Sequence, residues 1–420
     1  MPQMDYQMSQ RANSRPKPEI CIVGAGPVGL TLALALADAG IPCLVVDRGT
    51  APMSQSTDFD GRAYSISPSC WKIWQALNVS DALEARTLRV THISAESAGG
   101  HPIIFSEGDL EDEGGPLGYM VEADLLSRTL YRRVTEQPLI TIKQKCTLSG
   151  ISVAGTGIDL KFSGEKTPTH VSLLVGCDGR ESTVRKQAGI HWFGHDYNAK
   201  GLVATVALER PHENAARQSF LKSGPLAILP LMNNMANLVW TEHSDVADVL
   251  STMSDTDFEA ELAERIGDFI GGFKLTGPRY TYPLTMRVAE NFHADRIAIA
   301  GDSAHTIHPL AGQGLNLGLK DVAVMAEKIV EADRVGLDLG ATDILRAYDD
   351  ARRPDVLTTA FAMDGFDKLF SAASPIRTLA AIGMGIVGDI KPARQFLARQ
   401  TSGEQGDAPR LMRGKAFSLG

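Results

Sequence analysis

A short apolar run at residues 19–23 leads directly into Gly24-Ala25-Gly26-Pro27-Val28-Gly29. A helical pattern then runs to Ala39, Gly40 ends it, and a second apolar run, residues 41–46, closes on Asp47. Strand, Gly-rich turn, helix, strand and terminal acid is a βαβ unit with GxGxxG in place and a carboxylate roughly 20 residues on. The glycines permit a tight turn and close approach of a pyrophosphate to a helix N-terminus. Asp47 is placed to accept hydrogen bonds from a ribose diol. A second loop of the same kind lies far along the chain. Residues 296–300 read as a buried strand, residues 317–332 as an amphipathic helix, and between them stands GDSAHTIHPLAGQGLN, from Gly301 to Asn316. Two strand–loop–helix units of this type imply one large cofactor gripped at two places.

The rest of the chain bounds what surrounds these loops. With 420 residues, 44% hydrophobic and 22% charged, the chain has an ordinary globular balance and length for two or more domains. A net charge of −9 argues against nucleic acid as a partner. Cys21, Cys43, Cys70, Cys146 and Cys177 are odd in number and lack CxxC spacing, which argues for a reducing compartment and against a zinc site. Residues 1–18 are polar, carry Pro16 and Pro18, and read as a disordered tail rather than a secretory signal. No apolar run approaches the ~18–20 residues of a membrane span.

Helical patterns are expected at residues 71–83, 121–134 and 255–270, the last with Ser254 as N-cap. Alternating segments at 140–142, 148–153 and 158–162 read as a β-meander. The fold class is α/β (α+β two-domain). A Rossmann-like cofactor domain is expected from residues 19–188 and 284–341. A β-sheet substrate domain is expected at 189–283, and a C-terminal helical region with a flexible end at 342–420.

A third motif stands between the two loops. Residues 171–175 read as a strand that runs into Gly176-Cys177-Asp178-Gly179-Arg180-Glu181-Ser182-Thr183-Val184-Arg185. GxGxxG, then Asp-Gly after a strand, then Gly301-Asp302 ahead of Pro309 and Gly312-Gln313-Gly314-Leu315-Asn316, is an order that resembles the class A FAD-dependent aromatic hydroxylases of the para-hydroxybenzoate hydroxylase fold. Within them it is most similar to the ubiquinone-biosynthesis hydroxylases, in motif order over residues 19–360. The resemblance implies that Gly24, Gly26, Pro27 and Gly29 hold the FAD pyrophosphate, and that Asp47 and Arg48 lie at the adenosine ribose. Arg62 would follow the pyrophosphate or ribityl chain, and Asp302 the ribityl or pyrophosphate oxygens. Asp178 and Arg185 are associated with FAD and the nicotinamide cofactor. Gly312, Gly314, Leu315 and Asn316 would present backbone to the isoalloxazine. The family often has Glu where Asp47 stands.

Residue chemistry points the same way. Two-electron reduction puts negative charge on the flavin pyrimidine edge, where a helix starting near Leu315 would aim its positive end. Pro309 and His305 are candidate neighbours of the flavin face. His305 and His308 read as structural hydrogen-bonding groups before they read as proton-transfer groups, and no metal site is expected.

The activity implied is that of an FAD-dependent monooxygenase. NAD(P)H or another donor reduces FAD, and O2 then gives a flavin C4a-hydroperoxide that hydroxylates a polyprenylated phenol in ubiquinone biosynthesis. That substrate implies a cytoplasmic protein peripheral at the inner membrane; a ubiquinone-biosynthesis complex and a homo-oligomer stay open. The C-terminal apolar series Phe361, Phe366, Leu369, Phe370, Ile376, Leu379, Ile382, Ile386 and Ile390 fits either docking on the FAD domain or a surface turned to membrane or partner. The alternatives are a hydroxylase of a small soluble aromatic compound and a non-catalytic FAD-binding scaffold.

Overall fold

The structure is a computed structural model that describes residues 18–52, 61–97, 103–109, 115–221, 223–267, 270–307, 312–371 and 408–418. The first unit is the expected one: β1 (Ile20–Val23), α1 (Pro27–Asp38) and β2 (Cys43–Val46). Every residue of β1 and β2 is buried, as strands covered on both faces require. Pro27 opens α1, where its missing N–H costs nothing.

The chain continues through β3 (Ala63–Ile66), α2 (Pro68–Ala76), β4 (Leu88–Val90), β5 (His92–Ser97) and β6 (Ile103–Ser106). Next come β7 (Gly118–Glu122), α3 (Ala123–Thr135), β8 (Ile140–Lys143), β9 (Leu148–Ala154), β10 (Gly157–Phe162), β11 (Thr169–Val171), β12 (Leu173–Gly176) and α4 (Thr183–Gln187). The middle holds β13 (Trp192–Leu208), β14 (Ala215–Leu221), β15 (Gly224–Leu231), β16 (Met235–His243), α5 (Ser244–Thr252), α6 (Asp255–Ile266) and β17 (Phe273–Ala289). The last elements are β18 (His293–Ala294), β19 (Ile297–Ile299), β20 (His305–Thr306), α7 (Gln313–Arg334) and α8 (Thr342–Ser371).

Two sheets set the architecture. The first has the order β18-β19-β12-β1-β2-β8. In it β1 pairs in parallel with β12 on one side (Ile20↔Leu173) and β2 on the other (Ile20↔Cys43). The loops leaving β1, β2 and β12 therefore open at one end of the sheet, where the strand order reverses and ligands bind in such folds. Helices α1 and α7 pack against each other here, and Trp74 Nε1 on α2 donates to Thr31 Oγ1 on α1 at 3.1 Å. The second sheet has eight strands in the order β20-β17-β13-β16-β15-β14-β5-β6. It carries its own core, with Leu202, Trp240, Phe258 and Leu262 fully buried between sheet and α6.

Several expectations shift in detail. The eight-stranded sheet recruits β5 and β6 from residues 92–106, ahead of the expected 189–283. On one side β5 pairs with β6, and on the other with β14, in parallel (His92↔Ala215), more than 120 residues downstream, and local alternation does not reveal that second pairing. Of the expected meander, β9 and β10 stay together and gain β11 as a third strand, while β8 joins the parallel sheet beside β2. The pattern at 121–134 begins as strand β7 and turns helical at Ala123, and that at 71–83 yields α2 from Pro68. Ser254 caps α6 as expected, accepting from Asp257 N at 3.2 Å, and α5 is a helix the sequence pattern did not flag.

Residues 1–17 of the expected tail, and residues 372–407 with Ile376 to Ile390 of the apolar series, lie outside the described residues. Residues 408–418 return to the core: Leu411, Met412 and Phe417 are buried, and Phe417 N donates to Asp38 Oδ2 at 2.7 Å. Among the described residues no helix is long and apolar enough to cross a membrane.

Candidate active site

A cavity of about 360 Å³ opens where β1, β2 and β12 end, lined by Gly24, Gly26, Asp47, Arg48, Asp178 and Glu181 among others. The three glycines of the first loop do different work. A Cβ on Gly24, whose φ is +113°, would stand 2.2 Å from the Cys177 carbonyl oxygen. One on Gly29 would stand 2.0 Å from the Gly24 carbonyl oxygen. These two let α1 and β12 close onto the turn. A Cβ on Gly26 would meet no protein atom within 4 Å, so its bare Cα faces open space at the N-terminus of α1. A glycine with room around it at a helix start is a place where another molecule's phosphate can approach backbone N–H groups.

The carboxylates of this cavity are tied to backbone. Asp47 accepts from Ala25 N and Gly49 N, both at 2.6 Å, and so fixes the Gly-rich turn to the end of β2. Asp178 accepts from Thr183 N at 2.6 Å and Val184 N at 3.2 Å, capping α4. Arg185 lines neither this cavity nor the next. Its buried guanidinium donates to Ile190 O at 3.0 Å and stacks 3.7 Å from the Trp192 ring centre.

A second cavity, of about 370 Å³, lies between the Gly301 loop and the eight-stranded sheet. On the loop side it is lined by Arg62, Asp302, Gly312, Gly314 and Leu315. Gly312 takes φ +65° as it leads into α7, a left-handed conformation that favours glycine, and a Cβ on Gly314 would meet nothing within 4 Å. Gly314 and Leu315 stand in the first turn of α7, where N–H groups lack in-helix acceptors and carry the positive end of the dipole. Asn316, the fourth residue of that helix, is turned elsewhere. Its Oδ1 accepts from Ser67 N and its Nδ2 donates to Ser65 O, both at 2.8 Å, tying the segment after Arg62 to α7. On the sheet side the wall is aliphatic, with Val203, Ala216, Leu229 and Val239, interrupted by Arg217, Tyr280 and Tyr282. Asn237 Nδ2 on β16 donates to Gly61 O at 2.7 Å, which anchors the start of the Arg62 segment to the sheet.

His305 lies behind this cavity. It is buried, and its Nε2 is 2.6 Å from Asp321 Oδ2 on α7. Asp321 also accepts from Gly301 N at 2.9 Å and Arg352 Nε at 2.8 Å, and Arg352 continues to Asp355 at 2.6 Å. Burial pushes the Asp321 carboxyl up, but His305, Arg352 and the Gly301 N–H outweigh it and hold the group well below the usual carboxylate range. The network binds the Gly301 loop, α7 and α8 into one block. The sequence singled out His305 and missed Asp321 and Arg352, although an Asp among Leu317, Leu319, Val322 and Ala323 is out of place on an apolar helix face. His308 and Pro309 lie outside the described residues.

The two cavities meet at the Asp178–Glu181 turn. Asp178, Gly179 and Glu181 line the first, and Arg180 lines the second, 3.6 Å from Asp302 and 5.9 Å from the Tyr282 ring centre. Residues 17–360 match the model of the family described as FAD binding domain. The chain belongs to this family of flavoproteins. It is 37% identical over 400 residues to ubiquinone hydroxylase UbiL of Rhodospirillum rubrum, across 94% of this chain and 92% of that one. It is 31% identical over 372 residues to 3-demethoxyubiquinol 3-hydroxylase of Escherichia coli, across 87% of this chain and 93% of that one. The crystal structure of p-nitrophenol 4-monooxygenase PnpA from Pseudomonas putida superposes with a TM-score of 0.76 at 19% identity, covering 93% of this chain and 99% of that one, which shows a shared fold. The flavoprotein's own geometry fits FAD: two helix N-termini with open glycine faces, at Gly26 and Gly314, border two adjoining cavities.

Proposed function

We propose that this flavoprotein is an FAD-dependent monooxygenase that hydroxylates the aromatic ring of a polyprenylated phenol in ubiquinone biosynthesis. The observation that carries the reading is the second cavity, where a helix N-terminus with an open glycine face looks across at an aliphatic sheet wall. The names of the two relatives support the substrate class. FAD, when bound, supplies the activation of O2, with NAD(P)H as electron donor, one oxygen atom going to the ring and the other leaving as water.

The chain's residues set up that chemistry. Gly24, Gly26, Pro27 and Gly29 bring the turn and the start of α1 to the diphosphate. Asp47 and Arg48 stand at the ribose end, with Arg62 and Asp302 further along. The Gly314 and Leu315 N–H groups offset negative charge on the flavin ring. Asn316 acts by fixing the backbone at Ser65 and Ser67, and Asp178 by shaping the turn that parts the cavities. The parallel-sheet unit holds the cofactor. The eight-stranded sheet roofs the phenol, and its Val203, Leu229 and Val239 exclude water from the reacting face. A prenylated substrate partitions into lipid, so the protein works at a bilayer surface. Phe361, Phe366 and Leu369, all exposed on the last turns of α8, support such contact.

Arg217 on the cavity wall favours one other reading, a small aromatic carboxylate as substrate. NAD(P)H oxidation by the FAD-reconstituted protein separates the two. Stimulation by a short-chain prenylphenol and not by 4-hydroxybenzoate is expected; the reverse would replace the prenylated substrate with the soluble one.

A further inference from the structure

The throat between the two cavities has an electrostatic problem that one residue solves. An FAD lying across both would bring the negative charge of its diphosphate toward Asp302, on the loop side of the second cavity. The carboxylates of Asp47 and Asp178 are engaged by two backbone N–H groups each, which spreads their charge into the backbone. Asp302 accepts no hydrogen bond among the described residues. It is half exposed, and its charge partner is Arg180 at 3.6 Å, beyond hydrogen-bond distance, with the Arg180 side chain 42% exposed. Arg180 is thus placed but not saturated: one loose carboxylate, the Tyr282 ring beneath it, and donors left over for another anion.

We propose that Arg180 is the counter-ion of this throat, neutralising Asp302 and donating to the phosphate oxygens of the bound dinucleotide. A guanidinium suits the task because its five donors can serve a carboxylate and a phosphate together. Without it, Asp302 would face the diphosphate as a bare like charge. The Asp-Gly turn then has a division of labour: Asp178 fixes the turn to α4, and Arg180, two residues on, meets the ligand. The inference rests on the FAD reading above, and its failure is distinguishable from the failure of that reading.

The test is FAD affinity of the full-length apoprotein, read by quenching of flavin fluorescence in wild type, Arg180→Ala, Asp302→Asn and the double variant. Arg180→Ala is expected to weaken binding about thirtyfold in the wild-type background, the combined effect of lost donation to phosphate and of unmasked repulsion from Asp302. In the Asp302→Asn background the same change is expected to cost less than about fivefold, because the repulsion it unmasks is gone. The wild-type affinity should fall with salt more steeply than that of Arg180→Ala. Arg180→Lys, which keeps the charge, should bind within about tenfold of wild type, and it stands in if Arg180→Ala does not fold, with Arg180→Gln as its neutral counterpart. Equal losses in both backgrounds, or an Arg180→Ala affinity within about twofold of wild type, would overturn the proposal while leaving the FAD reading intact. A wild-type protein that fails to bind FAD would overturn the reading itself.

Discussion

The two Gly-rich loops look alike in sequence and are built differently. At Gly24 the turn is closed by backbone: two glycines are pressed within 2.2 Å of carbonyl oxygens by the measure of an added Cβ, and each Asp47 carboxylate oxygen accepts from one backbone N–H. At Gly301 the loop is held from behind by buried side chains, His305, Asp321 and Arg352. Its front, at Asp302 and Gly314, is left open. The first is a rigid cradle whose shape leaves one face free. The second is a braced arm that presents a helix N-terminus to a cavity. The difference fits the parts of a dinucleotide they are proposed to meet, an invariant diphosphate and a ring at which chemistry occurs.

The comparison breaks most visibly at the glycines. Gly24→Ala and Gly29→Ala should each destabilise the fold by more than about 3 kcal/mol, since backbone atoms occupy the Cβ position. Gly26→Ala should fold normally and bind FAD about tenfold or more weakly, because its Cβ meets only the ligand's space. Thermal melts and flavin titration together check this; equal behaviour of all three variants would erase the distinction between closed and open glycines.

At the second loop, Asp321→Asn should cost about 3–5 kcal/mol, the cost of uncoupling a buried ion pair and leaving Arg352 without its main partner. The pH dependence has a definite sign. The folded carboxyl of Asp321 titrates below its unfolded value of roughly 3.9. Its contribution is therefore present above about pH 4 and is lost as the pH falls toward the folded value. Denaturant unfolding of wild type should weaken steeply below about pH 4, and the Asp321→Asn curve should be flatter there.

The smallest effect is expected at Arg185. Its guanidinium stacks on Trp192 and lines neither cavity, so Arg185→Met should leave FAD affinity within about twofold of wild type while lowering stability by about 1–3 kcal/mol. A large loss of FAD affinity with normal stability would restore the cofactor role that its motif suggests.

These contrasts also mark what was legible in the sequence. The βαβ unit was readable because everything that defines it is local: apolar runs, glycines and Asp47 within 30 residues. The Gly301 loop was readable for the same reason, down to the helix that follows it. Partnerships across the chain were not. The pairing of β5 with β14 joins residues 92 and 215, and the throat joins Arg180 to Asp302, 122 residues apart. His305 was legible as a hydrogen-bonding residue, but its partner Asp321 sits on a helix face that periodicity marks as apolar. Arg185 was drawn toward the cofactor by its motif, whereas the fold turns it onto Trp192.

The central claim is that the cavity between the Gly312 to Leu315 turn and the sheet directs one atom of O2 onto a phenolic ring. Its most direct measurement is turnover under ¹⁸O2 with reduced nicotinamide cofactor and a short-chain prenylphenol, followed by mass analysis of the product. The account predicts one ¹⁸O in each hydroxylated ring, formed in step with NAD(P)H consumed. NAD(P)H oxidation that yields only hydrogen peroxide, with no labelled product from any phenol, would contradict it.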